Sequence, residues 1–198
     1  MQEKTIEIVY DHYKDTCAHN SEATKRRDRL MLFVVVALAL LALQALSPVL
    51  ANTTVADFLH FKFGVSLQPN LSIVGNVIWF LLMIFTVRYF QTVVSIERQY
   101  NYIHSIEDKI NESLGGNHIT REGKTYLNDY PYFSNWTYWL YMIIFPTLLF
   151  VVGTVKIFSE LRSIYVVGWN YYVLLDFIFF LLFFLSIIFY LLAIHKKK

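Results

Sequence analysis

The sequence predicts an all-α protein: a four-span transmembrane helical bundle whose helices 1 and 2 project into the cytosol. Three observations carry this. Of 198 residues, 56% are hydrophobic and only 16% charged, against roughly 25% charged in an average domain. The apolar residues fall in four blocks, each near the roughly 20 residues that a helix needs to cross a bilayer. Glycine and proline are missing from residues 1–46 and again from 76–114, so two of the blocks sit in very long uninterrupted helices. This composition excludes a disordered chain, a basic nucleic-acid-binding domain and an ordinary soluble enzyme.

Residues 1–29 are expected as a cytosolic N-terminal helix, with Ile6, Val9, Tyr10, Tyr13 and Cys17 at helical spacing. Span 1 occupies 30–50, beginning LMLFVVVALALLALQAL. Its long basic lead, with no small-residue cleavage site after it, is unlike a signal peptide. An extracytoplasmic loop follows over 51–71, and span 2 over 72–90. A cytosolic stalk helix and loop fill 91–135. On that stalk, Tyr89, Val93, Ile96, Tyr100, Ile103, Glu107, Ile110 and Leu114 alternate four and three apart, a heptad seam with one charged break. Gly115-Gly116 signals the end of the helix, which is then about 60 Å long and outreaches the bilayer. A short helix from Thr120 and a turn at Tyr130-Pro131 lead to span 3 over 136–156, kinked by Pro146. A short outer loop (157–167), span 4 (168–194) and a basic cytosolic tail (195–198) complete the chain.

Lysine and arginine set the orientation. Of the 17, only Lys62, Lys156 and Arg162 fall on one side of this arrangement. Both termini and the loop between spans 2 and 3 are therefore expected in the cytoplasm, in a bacterial inner membrane.

No catalytic motif is present, and no enzyme activity is expected. One cysteine excludes a disulfide framework. The six histidines are scattered; His12 and His19 share a helix face, which a solvated surface explains better than a metal. No cofactor is expected.

The sharpest polar signal is Asp176, seven residues past Trp169 and so about 10 Å along the helix from the outer interface. A charge at depth costs about 2.5–3.5 kcal/mol on insertion scales and faces a bundle interior or a water-filled path. Asn76 and Gln44 fall in the same outer half. The three read either as pore-lining residues, repeated around an oligomer axis, or as helix–helix glue with Lys156 or Arg162 as partner. A second signal is basic: Lys25, Arg26, Arg27 and Arg29 at the membrane edge, with Arg88, Arg98, Arg121 and Lys124 on the same side. Topology anchoring explains them; an anionic nucleotide or oligonucleotide site is the functional reading. Arg88 also has the place of a snorkelling side chain. Tyr100, Tyr102 and His104 are either packing residues or faces for a base. Val93, Ile96, Tyr100, Ile103, Ile110 and Leu114 are assigned to contacts between copies of the stalk, with a tetramer as first choice; the alternative is a pair of helices within one chain.

The opening HYKDTCAHNSEATKRRDRLMLFVVVALAL, with RYFQTVVSIERQYNYIHSIEDKI emerging from span 2, resembles the SLATT class of bacterial antiphage membrane effectors. The resemblance covers roughly residues 5–110, and it departs from the two spans usual in that class. It implies an oligomeric inner-membrane channel or pore, gated from the cytosol by a nucleotide made by an adjacent nucleotidyltransferase, or by a partner protein. The chain is also similar in size and span number to the membrane subunit of Kiwa-type defence. That likeness implies the alternative: a non-conducting scaffold or sensor that docks a soluble effector through its stalk. Lipid is a partner in either case.

Overall fold

The computed structural model describes residues 2–64, 71–116, 136, 139–167 and 171–195. All elements among them are helical: α1 (Gln2–Leu46), α2 (Pro48–Phe63), α3 (Leu71–Leu114), a π turn (Leu140–Ile144), α4 (Phe145–Val167) and α5 (Tyr171–His195). Three helices are long and apolar enough to cross a membrane, within Ile6–Leu46, Ile73–Leu114 and Tyr171–Ala193. The chain is thus a helical membrane protein.

The two long helices follow from unbroken helix-forming sequence. α1 has 45 residues and α3 has 44, each about 65 Å of helix. α3 contains one glycine, Gly75, near its start. Its end is built by Gly115 at φ 71°. The Gly116 N–H donates to the Asn111 carbonyl at 3.2 Å and the Gly115 N–H to that of Glu112 at 3.3 Å, the paired bonds of a Schellman motif.

Two segments expected as loops are helical. Residues 48–63 form α2, with Pro48 in its first turn and Gly64 closing it in the left-handed region at φ 64°. Proline lacks an N–H that the first turn would leave unused, and glycine takes that φ without strain. Residues 157–167 continue α4. The apolar stretch 136–155 is not one straight helix, because the π turn ends just before Pro146. Proline removes one hydrogen bond and crowds the carbonyl four residues back; a wider turn relieves the crowding. α4 is not among the three helices that qualify as spans, since Lys156, Glu160 and Arg162 fall within it. The short helix expected from Thr120, the turn at Tyr130-Pro131 and the tail 196–198 lie outside the described residues.

The chain divides into two compact units, residues 1–29 with 89–141 and residues 30–88 with 142–198. In the second, α1 buries Val34, Ala37, Leu38 and Leu41, α3 buries Ile78, Trp79 and Leu82, α4 buries Leu149 and Ile157, and α5 buries Phe183, Ile187 and Tyr190. Each set falls along one stripe of its helix. Trp79 meets Phe180 and Phe183 edge-on at 6.1 and 5.9 Å. It also lies over Gly153, where a Cβ would stand 3.3 Å from the indole; the small residue lets the helices approach.

In the first unit, the early part of α1 packs against the later part of α3. Tyr13, Ile103, Ile106 and Ile110 form its core, with Val9 and Cys17 against them. The pairing is antiparallel: as α1 advances from Tyr13 to Thr24, the facing position on α3 falls back from Glu107 to Tyr100. Part of the seam assigned to contacts between copies is thus covered within the chain. Ile96, Ile103 and Ile110 are buried within the chain, whereas Leu114 is 43% exposed. Val9, Tyr13 and Cys17 offer a matching stripe on the same chain, and closing it involves no loss of translational freedom.

Candidate functional site

Asp176 lies on the inward stripe of α5, seven residues before Phe183, and is only 4% exposed. Across from it on α3, the Asn76 side-chain amide donates to an Asp176 carboxylate oxygen and, at 3.0 Å, to the Tyr172 carbonyl. On α4, the inward positions Leu149, Gly153, Lys156 and Glu160 are spaced four, three and four. Lys156 Nζ pairs with Glu160 Oε1 at 2.5 Å. Glu160 comes within hydrogen-bonding reach of Asp176, and Lys156 attracts it. Three helices thus bring Asn76, Lys156, Glu160 and Asp176 into one buried cluster. Gln44, also buried, lies against Gly75: a Cβ there would stand 2.7 Å from its Nε2. Glycine is what lets that amide reach the α3 backbone.

Glu160 is the member that reading the sequence missed. Its signal is the Lys156–Glu160 spacing, an i, i+4 pair on one helix face, lost when the segment is taken for a loop.

Arg27 is held by Asp28, with Nε and Nη2 donating to Oδ1 at 3.0 and 2.8 Å, and stacks 5.8 Å from the Tyr141 ring centre. Lys25, Arg26, Arg29, Arg88 and Arg98 are exposed. Arg121 and Lys124 lie outside the described residues. His12 Nε2 meets the Tyr102 hydroxyl at 2.9 Å, and among the described residues no three acidic, cysteine or histidine side chains converge as a metal site.

The charged break in the seam is answered from α1. The Tyr13 hydroxyl donates to Glu107 Oε1 at 2.7 Å, and Glu107 is 2% exposed. Burial, and then the Glu107 carboxylate, push the Tyr13 phenol above its ordinary range. A phenol that keeps its proton when folded contributes stability that is complete below its unfolded value near 10 and is lost as pH rises beyond it. Tyr13→Phe should therefore cost about 1.5–3 kcal/mol at neutral pH, the range for a hydrogen bond to a charged group. Thermal midpoints of wild type and variant, compared from pH 8 to 11, should converge as pH rises. A constant gap would remove Tyr13 as the source.

Compared with protein-family models, characterised proteins and solved structures, the chain matches none.

Proposed function

We propose that the protein is an ion-conducting effector of the bacterial inner membrane, acting as a homo-oligomer in antiphage defence and controlled from the cytosol through its N-terminal helix pair. The observation that carries this reading is the charge balance of the buried cluster. Lys156 supplies one positive charge to two carboxyl groups, Glu160 and Asp176. One ammonium can neutralise only one of the two carboxylates at a time, and an ion left over inside a bundle is costly unless it is paired. Ionisable groups at membrane depth mark ion pathways more than mere packing.

In this reading α4 is the fourth span. Its Lys156–Glu160 pair neutralises charge inside the bundle, and both termini stay cytoplasmic. Copies associate through the exposed apolar faces of the spans, a tetramer being the first choice. The exposed cations Lys25, Arg26, Arg29 and Arg98 face an anionic nucleotide or a partner protein. Such a ligand moves the gate only by binding the open and closed states unequally.

The test is cation and proton flux through purified protein in liposomes, with Asp176→Asn beside the wild type. Flux that falls at least about tenfold in the variant, equivalent to about 1.4 kcal/mol at the barrier, supports the proposal. Tight vesicles from correctly folded wild-type protein, with and without oligonucleotides on the cytosolic face, overturn it. They would favour the second reading, a scaffold that docks a soluble effector. That reading has its own support, because the seam is closed within the chain and leaves the charged outer surface of the helix pair to meet a partner.

A further inference from the structure

α2 presents three different faces, each one residue out of step with the next. Ala51 is buried and Val55 and Leu59 are half-buried, so this face turns toward protein. One residue earlier at each point come Leu50, Thr54 and Phe58, all exposed, and Phe61 extends their row by three. Thr53, Asp57 and His60, also exposed, precede members of that row by one. A step of one residue is about 100° around a helix. The surface of α2 away from protein is therefore divided lengthwise into an apolar stripe and a polar stripe.

The apolar stripe is bare. Phe58 is 57% and Phe61 86% exposed. Its one hydroxyl is spent inside the helix, because Thr54 Oγ1 donates to the Leu50 carbonyl at 2.8 Å. Val49 and Phe63 add exposed apolar surface at the two ends of the helix. Bare apolar surface of this kind marks a place that meets a partner or a membrane.

The connections of α2 decide between the two. α1, long and apolar enough to cross a membrane, ends at Leu46, and Ser47 is the only residue between it and α2. The proline that follows keeps Ser47 out of the helical region, at φ −143° and ψ 75°, so the chain leaves the line of span 1 there. Leu46 is itself exposed, so apolar surface runs from the span onto α2 without a break. With 16 residues, α2 is about 24 Å long, short of the roughly 30 Å of a bilayer core. It starts at the membrane surface and is too short to cross.

We propose that α2 lies along the bilayer surface where span 1 ends, with Leu50, Phe58 and Phe61 in contact with lipid acyl chains and Thr53, Asp57 and His60 in water. The apolar face of such a helix sits about 5–10 Å into the boundary between headgroups and acyl chains. α2 then fixes the depth of span 1 in the membrane. The proposal does not depend on conduction.

The experiment uses full-length protein in phosphatidylcholine vesicles. Cys17, the only cysteine, is replaced by alanine, and single cysteines are introduced as Phe61→Cys, Phe58→Cys, Asp57→Cys and His60→Cys. These positions are exposed, so the fold tolerates them. Each is labelled with a nitrobenzoxadiazole fluorophore and quenched either by nitroxide-labelled lipid or by iodide on both sides of the membrane. Quenching by the lipid should be at least about threefold stronger at 58 and 61 than at 57 and 60, and quenching by iodide should show the reverse order, as a helix lying in the interface requires. Equal access of iodide to all four positions would place α2 in water and overturn the proposal. Positions 58 and 61 reached by neither quencher would place protein, such as a second copy of the chain, over the stripe and overturn it equally.

Discussion

Lys156→Met should be the most damaging single substitution in the membrane-facing unit. The methionine matches the lysine stem in length and keeps its packing, so lost volume does not explain the effect. What is lost is the one positive charge facing Glu160 and Asp176. Lys156 is 7% exposed and Asp176 4%, and α5 is apolar enough to cross a membrane. Water is therefore a poor substitute. Breaking a buried pair by removing one partner costs about 3–5 kcal/mol, because the other charge stays behind unpaired. The prediction is checked by the thermal midpoint of the monodisperse species in detergent. The double variant Lys156→Met with Glu160→Gln should recover most of the loss, since an amide is neutral and still bonds to Asp176. Asp176→Asn alone should be mild, because the excess of carboxyl groups over ammonium falls from one to none. If Lys156→Met behaved as a surface substitution, and the double variant gained nothing, the cluster would have to be hydrated.

The same cluster shows what the sequence made legible and what it hid. The long helices could be read because nothing breaks them, and the Gly115-Gly116 stop because glycine there has a local backbone cause. Asp176 stood out because a lone acid in an apolar run has no local excuse. Glu160 had one. It sits among Lys156, Ser159 and Arg162, a polar run that looks like the end of a span. Only the helical register of α4 reveals that Lys156 and Glu160 follow Gly153 inward. α2 was hidden in a similar way, because Asn52, Thr53 and Thr54 suggest a loop. Its real signals are positional, Pro48 at the start and Gly64 at the end. The heptad seam was legible as a seam, but not its partner. Spacing shows that a stripe must be covered and says nothing of whether the cover is another copy or the same chain. Glu107 held part of the answer: a buried carboxylate needs a donor, and Tyr13 lies on the stripe that supplies one.

Ile103→Asp should open the N-terminal helix pair. Ile103 is fully buried and packs in one cluster with Tyr13, Ile106 and Ile110. Truncating such a residue to alanine costs about 2–5 kcal/mol from lost burial and the cavity left behind. Aspartate adds a charge beside Glu107, which already occupies the nearest donor, Tyr13. Two carboxylates in one apolar layer repel and have no cation among the core residues, so the expected loss exceeds that of alanine. Helix propensity does not enter, since both residues fall in the same middle rank; the effect is one of packing and charge. The readout is local. Alkylation of Cys17, which packs against this core, should accelerate strongly in Ile103→Asp, moderately in Ile103→Ala and little in Ile103→Leu. A surface position on the same helix, Asp108→Ala, should leave the rate unchanged. If the pair transmits a cytosolic signal, Ile103→Asp should also uncouple flux from any ligand while α4 and α5 keep their melting behaviour. If instead Ile103→Asp leaves Cys17 as protected as in wild type, the seam is covered by something other than the chain's own α1. Contacts between copies would then regain the role that intrachain pairing has here.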